Sequence, residues 1–205
     1  MFSRIWGRPP PSPASRPDVF GEQRILLIYD STDCYAVSAF ENAIKALHYA
    51  RLEFINLDFS QAEEWPDLTQ FSSLLLCYVS QGGGLAVIYR GWNVGLADLL
   101  GVPDGKDWPA FFSSQVEGLH FTTDIFPGFQ EIQLSSNDVS GHEPYDFEPG
   151  AQAQVIATSG QGRPLVWFVR FGKGSVIYWN SAVLAEKSMR GLIIQSLMCV
   201  QQMSV

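Results

Sequence analysis

Apolar residues in this chain come in short unbroken runs separated by polar segments, the pattern of strands covered on both faces. The first run, Arg24–Tyr29 (RILLIY), predicts such a strand. Asp30-Ser31-Thr32-Asp33 follows with helix N-cap chemistry. A helix fits Tyr35–Ala50, where Val37, Phe40, Ile44 and Leu47 recur at helical spacing and Glu41 and Lys45 share another face. Leu52–Leu57 reads as a second strand. Strand, helix, strand with short connections is a βαβ unit, which implies parallel pairing and a right-handed crossover.

Asp58–Gln70 is polar and holds Trp65-Pro66, the composition of a loop with a short helix. Leu74–Val79 and Leu85–Tyr89 read as two further buried strands, with a short helix after the second. Gly82, Gly83 and Gly84 lie between them. A phosphate cradle opens directly into a helix N-terminus, whereas these glycines lead into LAVIY, so a tight turn is expected. Val102–Gly150 has poor periodicity and many Pro, Gly and aromatic residues, the signature of an irregular insertion over the sheet. Ala153–Thr158, Pro164–Phe171 and Ser175–Asn180 then read as strands. Gly172-Lys173-Gly174 joins the last two as a hairpin, with glycines for positive φ and Lys173 solvated at the tip. Asn180 or Ser181 can cap a final helix over Val183–Met203, whose Leu192, Ile193, Leu197 and Val200 face the sheet.

Composition adds bounds rather than detail. The chain has 205 residues, 46% hydrophobic and 17% charged, sufficient for one domain with a sizeable core. Residues 1–23 are Pro-, Ser- and Arg-rich and are expected to be flexible; residues 24–205 are expected to form a single α/β domain. Thirteen basic against twenty-one acidic residues give a net charge of −8, with no basic run to attract nucleic acid or an anionic membrane surface. No eighteen-residue apolar stretch is present, so no membrane span is expected. Cys34, Cys77 and Cys199 are widely spaced and odd in number, the usage of unpaired thiols in a reducing, cytoplasmic setting. His120 and His142, with Asp124, Asp138, Glu143 and Asp146 around them, lack compact ligand spacing. Neither a metal nor a cofactor is expected.

The succession of elements resembles the class I glutamine-amidotransferase-like fold, a flavodoxin-like three-layer sandwich with an added C-terminal antiparallel hairpin. The resemblance is carried by the βαβ start, by GGGLAVIYRGWNVGLADLLG, and by GRPLVWFVRFGKGSVIYWN with the helix after it. It implies a mostly parallel central sheet. The chain is also similar to the N-terminal module of an uncharacterised bacterial family linked to exopolysaccharide production, whose longer members carry a polysaccharide-deacetylase-like domain. YWNSAVLAEKSMRGLIIQSL carries most of that closer similarity.

Active amidotransferases place a cysteine nucleophile in a G-x-C-x-G elbow and a base and acid as H-x-E beyond the late hairpin. The positions that match here read Tyr89-Arg90-Gly91-Trp92 and Tyr178-Trp179-Asn180-Ser181. His48, His120 and His142 lie elsewhere. The resemblance therefore implies a pseudoenzyme, because acyl transfer needs both nucleophile and base. The carboxyl edge of such a sheet still forms a ligand crevice. Its candidate residues are Asp30, Ser31, Asp33, Tyr89, Arg90, Trp92 and Asn93: Arg90 for an anion, Tyr89 and Trp92 for stacking on a sugar ring. For each residue taken alone, packing or an ion pair is an equal account. Expected partners are a carbohydrate or anionic small molecule and proteins of a polysaccharide system; the sequence is silent on oligomeric state. Two other classes stay open. One is a hydrolase using Asp30 and Asp33, with Glu143 or Asp146 approaching from the insertion. The other is a scaffold recruiting proteins through the proline-rich lead and the aromatic insertion. A phospho-receiver is disfavoured, since LLLCYVSQ ends without an aspartate.

Overall fold

A computed structural model describes residues 25–29, 34–52, 54–58, 75–88, 97–102, 118–133, 148–185 and 189–203. The elements are β1 (Ile25–Tyr29), α1 (Cys34–Ala50), β2 (Phe54–Asp58), α2 (75–80), β3 (Gly84–Ile88) and α3 (Ala97–Leu100). β4 (Gly118–Phe121), β5 (Glu131–Gln133), β6 (Gln154–Ser159), β7 (Pro164–Phe171) and β8 (Gly174–Trp179) follow, then a 3-10 turn Ala182–Ala185 and α4 (Arg190–Met203).

β1 and β2 pair in parallel through the expected βαβ unit, in the register Ile25↔Phe54 to Tyr29↔Asp58. Among the described residues they form a two-stranded sheet. The larger sheet has the order β3-β8-β7-β6-β4-β5. Its β3–β8 pairing is parallel, and the other four are antiparallel. The expectation of a mostly parallel central sheet is thereby corrected: the sheet is mixed. The antiparallel β6–β7 and β7–β8 pairs already outnumber the parallel β3–β8 pair, and Gly118–Phe121 and Glu131–Gln133, in the stretch read as irregular, add two more antiparallel strands beyond β6. Such short strands of mixed character carry too little periodicity to be read from one sequence. The hairpin of β7 and β8 is as expected, paired from Val166↔Trp179 to Phe171↔Gly174.

Strand alternation sends β7 and β8 side chains into two cores. Val166, Phe168, Ile177 and Trp179 face one core, with Ala43 and Ala46 of α1 and Leu192, Ile193 and Val200 of α4. Trp167, Val169, Val176 and Tyr178 face the other, with Val79 of α2 and Leu99 and Leu100 of α3. Helices therefore cover both faces of the sheet at β7 and β8, which explains why these strands are continuously apolar. Across the second core the Trp167 indole N–H donates to the Leu100 carbonyl at 2.6 Å, satisfying an orphan acceptor at the end of α3.

The run Leu74–Val79, expected as a strand, is corrected to a helix over 75–80. A short apolar run does not distinguish the two by periodicity. The triple glycine holds the missing signal, because it is a helix C-cap. The Gly83 amide donates to the Tyr78 carbonyl at 3.0 Å and the Gly82 amide to Val79 at 2.9 Å, with Gly82 at φ +115°. That is the 6→1 and 5→2 bonding of a Schellman cap, and the expected turn is a helix stop.

α1 ends in a related way, with the Leu52 amide donating to the Leu47 carbonyl at 2.9 Å. Here the left-handed position is held by Arg51, φ 55°. A Cβ in that region costs on the order of 1 kcal/mol. Arg51→Gly is accordingly expected to raise stability by about 0.5–1 kcal/mol, read as a higher urea midpoint at unchanged m-value.

The buried stripe of α1 also differs from the expected one. Ala39, Asn42, Ala43, Ala46 and Leu47 are buried, while Val37, Phe40 and Ile44 are only partly so. Small residues let α1 approach α4 and the 3-10 turn closely. A rule that looks for large apolar residues misses such a face. Glu41 and Lys45 pair at 3.3 Å on the exposed side, as their i,i+4 spacing implies. The final helix is shorter than expected: a 3-10 turn precedes α4, and the Ser181 hydroxyl accepts the Val183 amide at 3.3 Å to cap that turn.

Candidate functional site

Asp30, Ser31, Asp33, Tyr89, Arg90, Trp92 and Asn93 all lie outside the described residues, as do His142, Glu143, Asp146 and Asp138. What is described is the frame around them. β1 ends at Tyr29 and α1 begins at Cys34, and Asp30–Asp33 lie between them in the chain. β3 ends at Ile88 and α3 begins at Ala97. Ile88 pairs with Trp179, which sets the carboxyl ends of β3 and β8 side by side. Among the described residues no strand ladder joins β1 to β3. The two groups of candidate residues follow β1 and β3 in the chain.

The described part of the carboxyl edge is Tyr178-Trp179-Asn180-Ser181, and all four residues are buried. Each is engaged in holding the fold. Tyr178 packs on Trp167 with ring centroids 4.8 Å apart. The Trp179 indole N–H donates to Ser196 Oγ at 3.0 Å, and that hydroxyl donates onward to the Leu192 carbonyl at 2.7 Å. The Asn180 amide donates to the Leu165 carbonyl at 2.7 Å, and Ser181 caps the 3-10 turn. These four residues are thus engaged in the interior of the fold.

The two histidines within the described residues are dispersed. His48, at the exposed end of α1, meets the Phe54 ring edge-on at 5.3 Å. His120, half-buried in β4, lies opposite Glu131 of β5 and Thr158 of β6. Among the described residues no three His, Cys, Asp or Glu side chains group as a metal site.

A polar tie that the sequence did not single out joins the helices. Asn42, 2% exposed, donates to the Leu184 carbonyl at 3.2 Å and accepts from Arg190 Nε at 3.3 Å. Its signal in the sequence is an Asn inside an alanine-rich helical stripe, a place that demands a partner.

Cys77 is exposed and Cys199 buried, and neither is in a disulfide. Cys34 is the first residue of α1, and its side chain is outside the described set. Burial pushes the Cys199 thiol up from 9.0 to about 11. The folded protein therefore favours the protonated thiol, and the associated stability is intact below pH 9.0 and lost as pH rises towards about 11. Thiol titration of the native protein at pH 8 is expected to modify Cys77 promptly and Cys199 only after denaturant is added. Prompt native modification of Cys199 would contradict the packing of α4.

Comparison with known proteins places this geometry. Residues 110–205 match a family model described as "Uncharacterised protein conserved in bacteria (DUF2194)". No curated protein matches the chain. Among solved structures, a cytoplasmic protein of Salmonella typhimurium is 14% identical at a TM-score of 0.58, covering 86% of this chain and 98% of that one. A glutamine amidotransferase of Thermotoga maritima is 12% identical at a TM-score of 0.52, covering 88% and 97%. The fold is amidotransferase-like. A β-galactosidase of Bacillus circulans sp. alkalophilus is 16% identical at a TM-score of 0.58 over 87% of this chain. The chain spans about a third of the length of three glycosidases it matches, 30–34%.

Among the described residues no helix is long and apolar enough to cross a membrane.

Proposed function

We propose that this chain is a non-catalytic, amidotransferase-like module that binds a carbohydrate or anionic small molecule at the carboxyl edge of its sheets. The observation that carries the reading is the burial of Tyr178–Ser181, where an active relative of this fold would present its base. Trp179 and Ser181 there serve packing and capping, and Tyr89-Arg90-Gly91-Trp92-Asn93 has neither Cys nor Ser to attack an acyl group. The finer architecture belongs to the same proposal, a flavodoxin-like three-layer sandwich with the crevice outside the strand ends. We assign the module to the cytoplasm and to a bacterial exopolysaccharide system, on the resemblance carried by residues 178–197 and on the wide spacing and odd number of Cys34, Cys77 and Cys199.

Two measurements test this reading. The purified chain is expected to release no ammonia from glutamine, and Cys34→Ser, Cys77→Ser and Cys199→Ser to leave that baseline unchanged. Ammonia release abolished by one of these substitutions would overturn it. A thermal-shift screen of glycans and nucleotides is expected to find a ligand that raises the Tm. For that ligand, Arg90→Ala or Trp92→Ala is expected to weaken binding roughly five- to a hundred-fold with little change in the ligand-free Tm. A large fall in ligand-free Tm with unchanged affinity would instead make both residues structural.

A further inference from the structure

We draw no further inference here: the strongest candidate, the apolar pair Leu26 and Ile55 on the face of β1 and β2 opposite Leu27, is an unpartnered sheet face, 55% and 52% exposed, and nothing in the structure shows what covers it.

Discussion

Replacing Gly174 with alanine is expected to destabilise the protein by about 3 kcal/mol or more, among the largest effects of any single methyl group in the described structure. Gly174 opens β8 and needs no unusual φ; its constraint is close approach. A Cβ there would run into the carbonyl oxygens of Val79 and Gly83. Both are main-chain atoms in the C-cap of α2, so neither can rotate away as a side chain can. The Ser175 amide donates to the Gly83 carbonyl and the Lys173 amide to the Ser80 carbonyl, at 3.3 and 3.0 Å. Parting the chains to admit a methyl group therefore also weakens the bonds that dock the hairpin on α2. The control is Gly162→Ala, where φ is +81° but nothing lies within 4 Å of the new Cβ. Backbone strain alone is worth about 1–2 kcal/mol. Urea midpoints for the two variants should differ clearly, with Gly174→Ala the lower. Equal midpoints would mean that the α2 cap does not sit against the hairpin.

Gly172-Lys173-Gly174 shows why such constraints are half legible in sequence. The turn itself is readable, and Gly172 takes the left-handed φ of 61° that the pattern implies. The reason for the second glycine is tertiary: it depends on α2, which the same reading took for a strand. β1, α1, β2, β3, β7 and β8 were readable because each is a long or strongly apolar run bounded by turn residues. β4 and β5 were not, since GLHF and EIQ are short and mixed. That omission hides two of the antiparallel pairings of the main sheet; the other two, β6–β7 and β7–β8, already outnumber its parallel β3–β8 pair. For the site, the sequence located the strand ends that a crevice requires, while the engagement of Trp179–Ser181 in the core depends on α4 and β7. Spacing along the chain carries no information about either.

Trp179→Ala is expected to cost about 3–5 kcal/mol, enough to unfold a marginal domain. Trp179 is fully buried and packs edge-on against Phe126, with ring centroids 6.0 Å apart. Phe126 in turn lies 5.4 Å from Phe121, so the cavity opens between the β4–β5 connection and α4. The indole N–H adds a second term through its bond to Ser196 Oγ at 3.0 Å. Ser196→Ala isolates that term: it leaves the ring in place but the buried N–H without its acceptor, at about 1–3 kcal/mol. Trp179→Phe removes donor and some volume together and should fall between the other two. Calorimetric unfolding of the three variants at pH 7 tests the order Trp179→Ala, then Trp179→Phe, then Ser196→Ala. This position also decides between a supporting and a reacting role for the end of β8. A supporting residue lowers stability in proportion to the cavity it leaves, and any ligand affinity falls only as the folded fraction falls. If Trp179→Ala instead kept its full Tm and lost ligand affinity, the end of β8 would be an open binding surface, and the non-catalytic reading would lose the observation that carries it.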